Sequence, residues 1–281
     1  MKFRTFLLAL LMVPCLSQAA APRSQEERAE AIRALQWKEG PSTEAIADKA
    51  TLKTTDALVY LDEANSKKFL ELTDNIPTDG SYIIYNTKNN WWADFSFNPA
   101  GYIKDDEKID ADALLKTLKD GDETGNKERQ RLGIGELHTE GWYVPPHYDP
   151  ATKRLEWGVK LRSGNDFNVN YTVRILGRTG FTSATLVSSP DRLATDVESF
   201  KAILPGFEYN GGEKYAEFKE GDRVAEYGLA ALVAGGAAAI ATKKGLWSVI
   251  GAFLAASWKL VAGFGVAAAA GVKSLFKRKQ S

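Results

Sequence analysis

The sequence predicts an α+β fold, a mostly antiparallel sheet with packed helices, followed by a C-terminal membrane helix and a second apolar helix. Three observations predict it. Between residues 137 and 188, four stretches of strand length alternate or run apolar and are separated by turn residues. Their connections are short, which implies antiparallel pairing. Helical patterns fall in blocks between the strand groups rather than in strict alternation with them, which favours α+β over α/β.

The elements follow in order. Residues 22–34 are charged and Ala-rich and read as a short solvated helix. A strand is expected over 57–61, and Asp62 then caps a helix running to about Leu72. Strands at 82–85 and 91–97 flank the polar turn 86–90. The run Asp110-Ala-Asp-Ala-Leu-Leu115 opens another helix, which Gly121 is expected to end before a short helix continues to Arg131. The β-rich stretch reads as strands at 137–144, 154–162, 168–176 and 181–188, with Gly177-Arg-Thr-Gly180 joining the last two as a hairpin. Ser189-Pro190 starts a helix whose Leu193, Val197, Phe200 and Leu204 recur at helical spacing. Residues 207–209 read as a last edge strand.

The two ends differ from this middle. Lys2 and Arg4, an apolar run from Phe6 to Val13, and the small residues of Ser17-Gln18-Ala19 form the three zones of an export signal over 1–19. Cleavage is expected after Ala19, with Ala21 as the second choice. Cys15 is the single cysteine and leaves with that signal, so no thiolate ligand or cysteine nucleophile is expected in the mature chain. Residues 20–209 are the exported domain and 210–223 a charged, Gly-containing linker. Residues 224–242 are long enough to cross a bilayer at ~1.5 Å per residue. Ala231, Gly235 and Ala239 form a small-residue ridge on that segment, and Lys243-Lys244 follow at once. Residues 245–276 form a second apolar stretch, interfacial or transmembrane; Ser248, Lys259 and Lys273 within it, with the flanking Lys244 and Lys277, fall on one stripe.

Charge is segregated in the same way. Residues 20–226 hold all 36 acidic residues and 27 basic ones, a net −9, whereas 227–281 hold seven basic residues and no acid. A positive apolar tail points to membrane lipid as the partner of 224–276, in an inner membrane with the main domain in the periplasm. The net-negative domain argues against nucleic acid.

The chain resembles an uncharacterised bacterial family of membrane-anchored proteins with an exported domain of unknown function. The stretches that carry the resemblance are Gly101-Tyr-Ile-Lys-Asp-Asp-Glu107, Asp110-Ala-Asp-Ala-Leu-Leu115, Gly141-Trp142, Pro145-Pro-His-Tyr-Asp149, Leu155-Glu-Trp157, Val169-Asn-Tyr171, Tyr215-Ala-Glu-Phe218 and Tyr227-Gly-Leu-Ala-Ala-Leu232. The resemblance implies location and architecture. It implies no reaction and carries over no catalytic residue.

Asp105, Asp106 and Glu107, with Asp110 and Asp112, could gather a hard cation. They lack an EF-hand spacing and equally suit a helix N-terminus. His138 and Glu140 would share one face of a strand, and His147 and Asp149 follow Pro-Pro, which reads as a rigid turn. A His/carboxylate pair could serve as acid and base or hold a metal, but no third strong ligand is evident. No Gly-x-Ser-x-Gly, Gly-x-Gly-x-x-Gly or phosphate loop occurs, so neither a cofactor nor a resident metal is expected. Trp37, Trp91, Trp92, Trp142 and Trp157 are expected mostly to pack beneath covering helices; the adjacent Trp91 and Trp92 point to opposite faces of a strand, so one could fill the core while the other stays exposed to anchor a partner.

The functional expectation is a non-enzymatic binding or scaffolding module of the cell envelope, facing a protein or glycan. Its binding candidates are Trp142, His147, Asp149, Asp105 and Asp106. The rival is an envelope enzyme or metal-dependent hydrolase using His147 and Asp149.

Overall fold

The computed structural model describes residues 24–131 and 133–234. The expected signal at 1–19, the rest of 224–242 beyond Ala234, and all of 245–276 lie outside the described residues. Mixed α/β architecture with a large antiparallel sheet and packed helices is what the chain forms.

The large sheet has eight strands. In chain order they are β1 (Lys38–Glu39), β4 (Leu58–Leu61), β5 (Ser81–Asn86), β6 (Trp91–Asn98), β7 (His138–Asp149), β8 (Arg154–Ser163), β9 (Asp166–Leu176) and β10 (Phe181–Ser188). Their spatial order is β1-β4-β5-β6-β10-β9-β8-β7, every pair antiparallel. The remaining strands, β2 (Thr43–Ile46), β3 (Ala50–Lys53) and β11 (Phe207–Tyr209), form a second sheet in the order β11-β3-β2. The edge strand expected at 207–209 is present, but on this small sheet. Residues 38–53 carry three strands of two to four residues that the periodicity did not reveal.

The two sheets meet through α4 (Leu193–Ile203) and a buried core of Leu52, Tyr60, Trp91, Phe95, Tyr171 and Phe200. The Tyr209 hydroxyl fixes them together. It donates to the Ile175 carbonyl at 2.6 Å and accepts from the Thr182 amide at 2.8 Å. On the opposite face of the large sheet lie α1 (Gln25–Arg33) and α2 (Glu63–Leu72) at one end, and α3 (Ala111–Arg131) and α5 (Leu229–Ala234) at the other. Asp62 caps α2 as expected, accepting from the Asn65 amide at 3.0 Å. Trp37 packs edge-on against Phe69 at 5.9 Å, and Phe69 against Trp92 at 5.3 Å.

Three local expectations are corrected. The helix does not end at Gly121: α3 runs unbroken to Arg131, because its later turns are bonded to the neighbouring strand. Asn126 exchanges two 2.8 Å hydrogen bonds with the Leu137 backbone, and the Asp122 carboxylate accepts from the Thr139 amide and hydroxyl at 2.7 and 2.9 Å. Such bonds outweigh a glycine penalty of about 1 kcal/mol. Pro145-Pro146 do not make a turn. They continue β7, an edge strand whose register shifts at three places and where a missing N–H costs no ladder bond. Neither Trp91 nor Trp92 is exposed, at 1% and 4%, because both faces of the sheet are covered there.

The stretch 210–223 lies along the domain. Tyr215 is buried and donates to the Ile103 carbonyl at 2.7 Å. Arg178 holds Asp222 through two 2.6 Å bonds. Tyr102 then pairs with Val224 as an isolated parallel bridge, and Gly101 permits the approach at φ +91°. Leu229, Leu232 and Val233 of α5 join the core formed by α3 and β8. Among the described residues no helix is long and apolar enough to cross a membrane.

Candidate functional site

The residues singled out in the sequence are scattered. Trp142 Nε1 donates to the Ala111 carbonyl at 2.9 Å, tying β7 to the first turn of α3. Asp149 closes the β7–β8 turn, accepting from the Thr152 hydroxyl at 2.7 Å and the Ala151 amide at 2.9 Å, and these bonds hold its carboxyl below the usual range. Asp105 accepts from Tyr148 at 2.7 Å and Lys153 at 2.8 Å. Burial pushes its carboxyl up, but those partners outweigh it and the net displacement is downward. Asp106 is exposed. Asp110 caps α3 through the Ala113 amide at 3.0 Å, and Glu107 caps α5 through the Ala230 amide at 2.9 Å. The acidic run is thus divided among three structural tasks. No group of three His, Cys, Asp or Glu side chains that could hold a metal gathers among the described residues.

His147 is half exposed, with Nε2 3.8 Å from Glu156 Oε2, beyond hydrogen-bond reach. Glu156 is itself buried and already accepts from the Tyr171 hydroxyl and Lys201, each at 2.6 Å. Asp149 is engaged in its turn, so His147 and Asp149, the pair of the rival reading, do not face a common partner.

A different group stands out, on the helix-covered face of the large sheet. Cross-strand register sets Ser81, Ser96, Ser183 and Arg174 side by side across β5, β6, β10 and β9. The next row on the same face is Ile83, Asp94, Thr185 and Thr172, and the following row brings Asn170 beside Val187. Seven serine, threonine, asparagine and aspartate residues and one arginine therefore form a contiguous polar floor. Apolar neighbours bound it on both sides: Tyr85 and Trp92 under α2, and Trp157 and Phe181 under α3 and α5. The floor explains why one sheet face carries two separate hydrophobic clusters.

This floor is buried yet incompletely bonded. Asp94 is 1% exposed and Asn170 8%. Asp94 Oδ1, Ser81 Oγ, Asn170 Oδ1 and Arg174 Nε have no hydrogen-bond partner among the described residues. Such orphans are rare in a folded interior and call for an explanation. Burial pushes the Asp94 carboxyl up to about 8; the nearby Ser81 hydroxyl, out of good hydrogen-bonding geometry, and the Tyr82 amide only partly oppose it. The Arg174 guanidinium lies against two rings, 5.0 Å from Phe181 and 5.6 Å from Trp157, and burial lowers its pKa to about 10. Thr172 and Thr185 share one 3.2 Å bond. Sequence reading missed the floor because its members occupy alternate strand positions, the usual mark of a solvent face. One signal was present: Asp94 stands inside the apolar run Trp91-Trp-Ala-Asp-Phe95.

No curated protein matches the chain. Among solved structures, it is similar to the solution structure of cyanobacterial PsbP (CyanoP) from Synechocystis sp. PCC 6803. The identity is 10%, over 62% of this chain and 92% of that one, with a TM-score of 0.36. A likeness that slight carries no argument. The profile of the protein family of unknown function DUF2167 matches residues 38–269, from β1 through the apolar tail, and the chain belongs to that family.

Proposed function

We propose that this chain is a membrane-attached envelope protein whose exported domain is a binding module. The polar floor is the observation that carries the reading. A sheet face covered by helices is ordinarily apolar, and burying hydroxyls, an amide and a carboxyl without partners costs stability. Groups kept at that cost serve recognition more readily than folding. His147 and Asp149 give the rival enzyme reading little support, since the first sits apart from Glu156 and the second is tied into a turn.

Attachment rests on the tail. Residues 224–234 are engaged with the domain, so lipid contact begins beyond Ala234. The family match runs on to residue 269, which supports the tail as part of the same functional unit. Its lysine stripe suits the anionic headgroups of an inner membrane, at roughly 1 kcal/mol per basic residue.

Thr172→Val/Thr185→Val tests the floor without needing a ligand. If these hydroxyls serve binding, the isosteric apolar pair leaves stability unchanged or raises it. A loss beyond about 2 kcal/mol would make the floor a structural polar core. Membrane fractionation tests the tail: the intact protein should sediment with membranes, and a chain ending at Ala234 should not.

A further inference from the structure

Resting on the reading of the floor as a binding surface, we propose that it takes a small hydroxylated carboxylic acid, with the carboxylate on Arg174 and the hydroxyls on the serine and threonine side chains beside it. Four observations support this. The floor holds one fixed cation, held between the Trp157 and Phe181 rings, and its Nε lacks a partner. A guanidinium held in this way is a preorganised receptor for a planar anion. Second, the neighbouring acid does not compete for it. Asp94 stands in the next row and two strands away from Arg174, and burial keeps its carboxyl protonated at neutral pH, where it can donate a hydrogen bond.

Third, the rest of the floor consists of hydroxyls and an amide, groups that both donate and accept, as hydroxyl-bearing ligands require. Ser81 Oγ and Asn170 Oδ1 have no partner within the domain. Fourth, the floor reaches solvent along one row. Ser96 and Arg174 are both partly exposed, with buried Ser183 between them. Two strand spacings of ~4.8 Å separate them, about 10 Å, the span of a small molecule rather than a polymer.

The test is calorimetric titration of the full-length protein in detergent with gluconate, glucuronate, acetate and glucose. At least one of the two hydroxy acids should bind saturably, about tenfold or more tighter than either acetate or glucose. Arg174→Gln should weaken it by about tenfold or more, as expected for a lost charged hydrogen bond. Ser96→Ala, at the open row, should weaken it about two- to tenfold at an unchanged melting temperature, which separates recognition from folding. The proposal is overturned if neither acid binds saturably at millimolar concentration, if glucose binds as tightly as the acids, or if Ser96→Ala and a folded Arg174→Gln bind like the wild type. Such a failure is distinct from failure of the binding-module reading, which is decided by the stability of the threonine-to-valine variant.

Discussion

Replacing Asp94 with asparagine should remove much of the protein's loss of stability on going from pH 5 to pH 7. Asp94 is 1% exposed, and burial raises its carboxyl to about 8, against roughly 3.9 for an aspartate in an unfolded chain. The folded state therefore keeps a proton that the unfolded state has released. Below about pH 4 both states hold it, and the group costs nothing. Above that, each pH unit removes about 1.4 kcal/mol until the folded state also ionises near pH 8. Between pH 5 and 7 this amounts to about 3 kcal/mol, which the asparagine variant should not lose. For a domain of this size that corresponds to roughly 5–11 °C in melting temperature. Thermal melts of both proteins at pH 5, 6 and 7 in one detergent provide the comparison. Asp105, Asp149, Glu213 and Asp222 are held low and titrate below this window, while Asp122, raised by burial, contributes equally to both proteins. The difference between the two curves thus isolates Asp94. Parallel curves, or a variant that loses more stability than the wild type as pH rises, would refute the reasoning.

Three other outcomes follow from the packing. A chain ending at Ala234 should melt cooperatively, whereas one ending at Arg223 should not fold stably at 37 °C. The shorter chain loses Leu229 and Leu232, each 1% exposed, at about 2–5 kcal/mol per leucine against a total of 5–15 kcal/mol. Gly101→Ala should destabilise by about 1–3 kcal/mol and increase proteolysis near Val224, because φ is +91° and a Cβ would meet the Arg223 carbonyl at 2.7 Å. Asp105→Ala should cost about 1–3 kcal/mol through the lost Tyr148 and Lys153 bonds, with no effect of Ca²⁺ on either protein's melting. A Ca²⁺-dependent rise of several degrees in the wild type, absent from the variant, would make the acidic run a cation site.

The sequence was most legible where one residue decides one element. Asp62 marks the start of α2, the polar run 86–90 marks the turn between β5 and β6, and four alternating stretches mark β7 to β10. It was least legible where tertiary partners override local preference. Gly121 reads as a stop, yet Asp122 and Asn126 are bonded to the strand beside them, so the helix continues. Pro145-Pro146 reads as a turn, yet an edge strand has no ladder bond there to lose. The binding candidates drew attention as rare residue types, but histidines and clustered acids are also what turns and helix caps use. The floor escaped for the converse reason. Serines and threonines at alternate positions look like a wet surface, and only the fold places helices over both ends of it.

Several stretches that carried the family resemblance are far apart in sequence and meet in one region of the fold, while Val169 and Tyr171 belong to the core on the other face of the large sheet. Tyr102 stacks on Tyr215 at 4.4 Å and on Phe218 at 4.2 Å, the Glu107 carboxylate caps α5, and Asp105 reaches Tyr148 and Lys153 on the β7–β8 hairpin. This junction holds α5, the last element of the described residues. It also adjoins the polar floor, because Tyr227, two residues before α5, lies close enough for its hydroxyl to feel the charge of Arg174. The residues that dock the tail's first turn and those that shape the Arg174 end of the floor are therefore continuous. The last described helix and the Arg174 end of the floor share one cluster, which holds Trp157, Phe181 and Tyr215 together with Leu229 and Leu232.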